Sequence, residues 1–353
     1  MGIGATILMI IFFPLNSFLL AQEAFFGGNS VQANAVASED INEGLVKGVE
    51  VKKNNSEPKP KPKPKAQAVD DPQYHVTRKD GVKDLVVSGA HASVIIDADT
   101  GSILHYNEGK NRRQIASLTK IMTAVLTVEK IKDLDEEVVI DEETIYVDGT
   151  KIGCPRSGVC NSQRLKIGEK ISVKNLLRAA LLNSANDAAV ALGKHIAGSQ
   201  EAFADMMNKK AKELELADTH FCTASGLDLD DESSAAECYS SAYDIARIAA
   251  YSLRYDEIWK NFSLYPPDKE IKIQSADGAI EHSILNTVSN LWQIPNAVGG
   301  KTGFTPLAGY SLLAVVSDPS TKHRVVAVVL DDPTRWQDIR TMIDWAFASH
   351  EWK

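Results

Sequence analysis

Three short motifs in a fixed order constrain this chain more than anything else in it: Ser117-Leu118-Thr119-Lys120, Ser184-Ala185-Asn186 and Lys301-Thr302-Gly303. Each alone recurs by chance in a chain of 353 residues. In this order, with a helical pattern behind the first and a strand pattern carrying the third, they describe an active-site serine hydrolase. A serine hydroxyl is a poor nucleophile until a base takes its proton. The eight histidines are scattered, none belongs to a Ser/His/Asp signature, and there is no Gly-x-Ser-x-Gly elbow. Lysine can serve instead. Ser117 and Lys120 are three residues apart, which on a helix puts them on one face. The apolar stretch Ile121 to Ile131 reads as a buried helix. Ser117 then sits near the helix N-terminus, where unpaired N–H groups and the positive dipole end favour developing negative charge. A lysine buried there, near a second cation such as Lys301, has its pKa pushed down by desolvation and like charge. That makes an amine a usable base near neutral pH.

Further segments extend the pattern: Ala116-Ser-Leu-Thr-Lys-Ile-Met-Thr-Ala124, Asn183-Ser-Ala-Asn-Asp-Ala-Ala189, Gly198-Ser-Gln-Glu-Ala-Phe203, Thr219-His-Phe221 with Ser225-Gly-Leu227, Tyr239-Ser-Ser241, and Gly300-Lys-Thr-Gly303 with Ala308-Gly-Tyr310. In these the chain resembles the D-alanyl-D-alanine carboxypeptidases, the low-molecular-mass penicillin-binding proteins, from about Ala90 to Trp345. The resemblance implies roles. Ser117 is the nucleophile and Lys120 its base. Ser184 relays a proton to the leaving amine, Asn186 holds the substrate amide, Lys301 adds positive potential and Thr302 binds the terminal carboxylate. The backbone N–H groups of Ser117 and Phe304 form the oxyanion hole, which usually supplies the largest share of such catalysis. Gly303 is read as the residue without Cβ that lets substrate backbone approach the strand. Two positions depart from the family pattern. Phe304 stands where many relatives carry His. Leu285-Asn286-Thr287 stands where some relatives place a carboxylate-binding Arg.

The expected fold is α/β (α+β) and β-lactamase/transpeptidase-like: an antiparallel sheet of N- and C-terminal strands covered by helices, with a mostly helical subdomain. A hairpin is expected from Ser93–Asp97 to Ile103–Tyr106, helices at about 117–131, 172–182, 186–197, 200–214 and 241–253, strands at about 298–304, 308–317 and 323–331, and a closing helix from Thr334 to about Ser349. Residues 82–353 are assigned to this domain, 1–26 to a signal peptide or membrane anchor built on the apolar run Ile3–Ala21, and 27–81 to a disordered linker. In that linker Glu57-Pro-Lys-Pro-Lys-Pro-Lys-Pro-Lys65 favours extended polyproline II. The run Ile3–Ala21 lacks a preceding basic residue; Lys47 is the first. No residues remain for the C-terminal β-rich domain of many relatives, so membrane attachment is expected to be N-terminal. A net charge of −9 argues against nucleic-acid binding.

An exported protein meets an oxidising compartment, where four cysteines can form disulfides. Of three connectivities the local pairs Cys154–Cys160 and Cys222–Cys238 are favoured, since each would pin a loop near the cleft. No Cys-x-x-Cys pair exists and the spacings differ from zinc sites, so no metal is expected, and the chemistry requires no cofactor. The resulting expectation is an exported serine-type carboxypeptidase, acting at the outer face of the membrane, periplasm or wall. It removes the terminal D-alanine of peptidoglycan stem pentapeptides and is acylated by β-lactam antibiotics. The alternatives are an endopeptidase of cross-links, with the same chemistry, and a β-lactamase. The latter needs a Glu-x-x-Leu-Asn loop, and the only similar run, Glu281-His-Ser-Ile-Leu-Asn286, has one residue too many.

Overall fold

Apolar runs rich in β-branched residues, such as Val325-Val-Ala-Val-Val-Leu330, suit strands covered on both faces, since a strand with one wet face alternates. In the computed structural model, which describes residues 74–154, 160–228, 237–266, 268–318 and 320–353, these runs are the centre of a five-stranded antiparallel sheet. Strand β1 is Val76–Arg78, β2 Ala92–Asp97, β3 Ile103–Asn107, β4 Glu137–Val139, β5 Lys170–Ser172, β6 Glu270–Gln274, β7 Glu281–Leu285, β8 Ala297–Thr305, β9 Gly309–Ser317, β10 Arg324–Leu330 and β11 His350–Trp352. The main sheet runs β3-β2-β10-β9-β8, with Val326 opposite Ile96 and Val315, and Lys301 opposite Leu313. Every residue of β2 is buried. Each such Val or Ile contributes on the order of 1.5–3 kcal/mol by leaving water.

The helices are α1 Lys120–Lys130, α2 Glu142–Tyr146, α3 Val173–Arg178, α4 Asn186–Ala197, α5 Gln200–Glu213, α6 Ala242–Ser252, α7 Asp256–Leu264 and α8 Arg335–Ser349. At α3, α5 and α6 a serine caps the start: Ser172, Ser199 and Ser241 accept from the N–H groups of Asn175, Ala202 and Asp244. Gly198, at φ 88°, closes α4 in the left-handed conformation. Helices α6 and α8 pack on the sheet, α1 packs among α4, α6 and α7, and the 3-10 turn Ala116–Thr119 lies against β8 and β9. The sheet edge carrying Lys301-Thr-Gly303 is thereby held beside the start of α1.

The expected mixed fold with an antiparallel sheet is the one observed, with local differences. Residues 172–182, read as one helix, divide: α3 ends at Arg178 and a wide π turn spans Ala179–Asn183. The Leu182 carbonyl is taken by the Thr287 N–H and hydroxyl, both at 2.9 Å, so a tertiary partner replaces a helical one. Strand β1 falls inside the stretch 27–81 read as linker; it pairs with β11, and Tyr74 donates to Asp97. Three residues are too few to register as a strand by alternation. The run Ile3–Ala21 and the Pro-Lys repeat lie outside the described residues. Among the described residues no helix is long and apolar enough to cross a membrane, and no cluster of three potential metal ligands occurs.

Candidate active site

Lys120, the first residue of α1, is fully buried. Its Nζ lies 2.8 Å from Ser117 Oγ, 2.8 Å from Asn186 Oδ1 and 2.7 Å from the Ser225 carbonyl oxygen. The last two only accept from it in this arrangement. A neutral amine has two N–H bonds and one lone pair, so with both hydrogens given to Asn186 and Ser225 the lone pair faces the Ser117 hydroxyl. Burial, then the charge of Lys301, pushes the Lys120 pKa well down, and the buried Asp187 opposes this. Lys301 is also fully buried and donates to Ser184 Oγ and to the Thr302 carbonyl, both at 2.9 Å. Burial pushes its pKa down to about 7. Two serine–lysine pairs thus face one cleft of about 640 Å³ lined by Ser117, Ser184, Asn186, Thr302, Gly303 and Phe304, among others.

Both serines sit beside unusual backbone. Ser184 itself adopts φ 59°, and Ala116, just before Ser117, φ 48°. Non-glycine residues in this region carry a conformational cost, and such residues cluster at functional sites. Ala116 is wedged under Gly226, where a Cβ would stand 2.0 Å from the Ala116 carbonyl oxygen. Gly303 also has a steric reason of this kind. A Cβ there would stand 2.8 Å from the Ile115 carbonyl oxygen and 3.4 Å from Ala116 Cβ, so the glycine admits the turn that presents Ser117.

The segment Asn183–Asp187 also builds the cleft wall. Asn183 Nδ2 donates to the Lys151 carbonyl, the Asn186 N–H to that of Thr150 and Asn186 Nδ2 to that of Asp148. The Asp187 carboxylate accepts the Ile152 N–H at 3.0 Å and the Ala188 N–H at 2.8 Å. Burial outweighs these bonds and raises the Asp187 pKa to about 7. The structure joins Cys154 to Cys160, beside this loop, and Cys222 to Cys238, close to Gly226. Thr302 Oγ1 donates to Thr287 Oγ1 at 3.2 Å, so a neutral hydroxyl stands where some relatives place an Arg. Phe304 packs on Tyr310, ring centroids 4.5 Å apart. The motif reading did not single out Gly149, Thr150, Lys151, Gly153, Gln163, Glu270, Ser283 or Arg335, which also line the cleft. They come from separate loops and hairpins and carry no local signature. Glu281, the acid of the near-match to a β-lactamase loop, is exposed at the start of β7 and pairs with Lys272 instead of lining the cleft.

The sheet and its covering helices form the fold of the penicillin-binding proteins. The solved structure of penicillin-binding protein 5 from Haemophilus influenzae is 31% identical, with TM-score 0.63, covering 76% of this chain and 73% of that one. Penicillin-binding protein D2 from Listeria monocytogenes, solved in an ampicillin-bound form, is 27% identical with TM-score 0.61 and covers 75% of this chain and 100% of that one. Residues 82–334 match the model of the D-alanyl-D-alanine carboxypeptidase family, peptidase family S11, and the chain belongs to that family. The D-alanyl-D-alanine carboxypeptidase DacF of Bacillus subtilis is 34% identical over 270 residues, which are 74% of this chain and 63% of DacF. The matched region thus spans about three fifths of the curated relatives' length.

Proposed function

We propose that the protein is a serine-type D-Ala-D-Ala carboxypeptidase that trims the terminal D-alanine from peptidoglycan stem pentapeptides. The observation that carries this reading is the buried Lys120 amine 2.8 Å from Ser117 Oγ, with its two other partners both acceptors. Lys120 takes the hydroxyl proton as Ser117 attacks the carbonyl of the penultimate D-alanine. The backbone N–H groups of Ser117 and Phe304 receive the negative oxygen of the tetrahedral intermediate. Thr302 and the charge of Lys301 hold the terminal carboxylate, and Asn186 orients the substrate amide. Ser184, hydrogen-bonded to Lys301, passes a proton to the departing D-alanine amine. Water, activated by Lys120, then cleaves the ester and restores Ser117.

β-Lactams enter as mimics of the D-Ala-D-Ala terminus and acylate the same serine. Family membership supports both ligands. The apolar segment Ile3–Ala21 is read as the export signal or anchor that delivers the domain outside the cytoplasm. The test is mass spectrometry of a defined pentapeptide incubated with the protein. Loss of one D-alanine by wild type and none by Ser117→Ala supports the reading; cleavage only of a cross-linked dimer would move the protein to the endopeptidases.

A further inference from the structure

One buried ionisable pair has no part in that chemistry. His282 on β7 is fully buried, and Glu169, just before β5, is 3% exposed. His282 Nδ1 lies 2.6 Å from the Gln163 carbonyl oxygen, and Nε2 lies 2.6 Å from Glu169 Oε1. A carbonyl oxygen only accepts, so Nδ1 carries a hydrogen. The second Glu169 oxygen accepts the Lys166 N–H at 3.0 Å. With a carboxylate on one side and a carbonyl on the other, only the doubly protonated ring satisfies both. The ring therefore ties the loop after Cys160 to the β6–β7 hairpin. Both are walls of the substrate cleft: Asn161 and Gln163 line it from the loop, and Glu270, Ser283 and Leu285 from the hairpin.

We propose that His282, held as an imidazolium by Glu169 and the Gln163 carbonyl, is a positioning residue that sets the separation of these two walls and hence how tightly the cleft holds an extended peptide. The inference rests on reading the cleft as the peptide groove. Burial by itself pulls the His282 pKa down. The Glu169 bond and charge, the Gln163 carbonyl and the buried Asp187 on α4 outweigh it, and the net direction is upward. The other charged side chains on the packed elements, Arg164, Lys166 and Lys170 on one side and Glu270, Lys272 and Glu281 on the other, are exposed. A raised histidine pKa means the clamp is complete at low pH and is lost as pH rises through the raised value.

Two measurements test the clamp on the full chain. In 15N spectra at pH 7 the His282 ring, assigned by its disappearance in His282→Gln, shows both nitrogens protonated. In Glu169→Gln, which keeps the shape and removes the charge, the same ring becomes a neutral tautomer. His282→Leu, which removes both ring bonds, has a KM for a D-Ala-D-Ala pentapeptide raised roughly tenfold, with kcat within about twofold. A neutral ring in wild type, or an unchanged KM in His282→Leu, overturns the clamp. Fluorescent penicillin is added to the same samples: labelling with an unmoved KM rejects the clamp alone, whereas absence of labelling in wild type rejects the reading of the cleft itself.

Discussion

Burying two lysines within one site is expensive, and Lys301→Met measures how expensive. In the folded protein Lys301 titrates at about 7 instead of 10.5, because burial penalises its charge. That difference is about 5 kcal/mol of destabilisation at pH values where both states are charged. The sign follows from proton counting. Below pH 7 both folded and unfolded chains hold the proton, and the full penalty is present. Between 7 and 10.5 only the unfolded chain holds it, so stability rises with pH. Met matches the length and volume of Lys without the charge. It also removes the donor to Ser184 Oγ and to the Thr302 carbonyl, a loss of about 2–3 kcal/mol together. The variant should therefore be about 2–3 kcal/mol more stable than wild type at pH 6. The gap should shrink by about 3 kcal/mol at pH 9, where part of the wild-type penalty is relieved. Urea unfolding at the two pH values, with disulfides intact, reads both numbers. Penicillin labelling of the variant should slow by a factor on the order of 100, as expected when a preorganised positive group is removed. A variant less stable than wild type at pH 6, or a gap that ignores pH, refutes the reasoning.

Gly226→Ala should both destabilise the protein, by more than about 2 kcal/mol, and suppress penicillin labelling. The new Cβ meets the Ala116 carbonyl, and φ is +74°; normal labelling and an unchanged unfolding midpoint would show that the Ser117 turn does not lean on this glycine. A chromogenic β-lactam should give one equivalent of product as a burst, followed by very slow turnover. The penicilloyl leaving group stays tethered, and the cleft carboxylate Glu270 is engaged by Ser283 and Lys272; sustained turnover of many molecules per second would indicate a β-lactamase.

The parts of the fold written in local signals were legible. The apolar runs of β9 and β10 and the turn between β2 and β3 at Asp97–Gly101 each announce themselves within ten residues. So do Ser117 and Lys120, because three residues of spacing fix their meeting on a helix. Other features depend on partners distant in sequence. At the π turn Ala179–Asn183 the Leu182 carbonyl is held by Thr287, 105 residues away in sequence. The alternation of β6, Glu-Ile-Lys-Ile-Gln, is clean, but five residues amid polar sequence do not distinguish a hairpin from a loop. The steric reason for Gly303 was hidden as well, since nothing in the strand's sequence tells that Ile115 lies over it. The His282–Glu169 pair joins residues 113 apart and has no motif at all.

The central claim is that Ser117 is the acyl-enzyme nucleophile of a D-Ala-D-Ala carboxypeptidase. The most direct measurement is acid-quenched digestion of the protein during turnover of a D-Ala-D-Ala pentapeptide, with peptide mapping and quantification of free D-alanine in the same sample. The account predicts the tetrapeptidyl ester on the peptide containing Ser117, one D-alanine per peptide cleaved, and neither product from Ser117→Ala. D-Alanine release that persists in Ser117→Ala, or an acyl group mapped to Ser184, would contradict it.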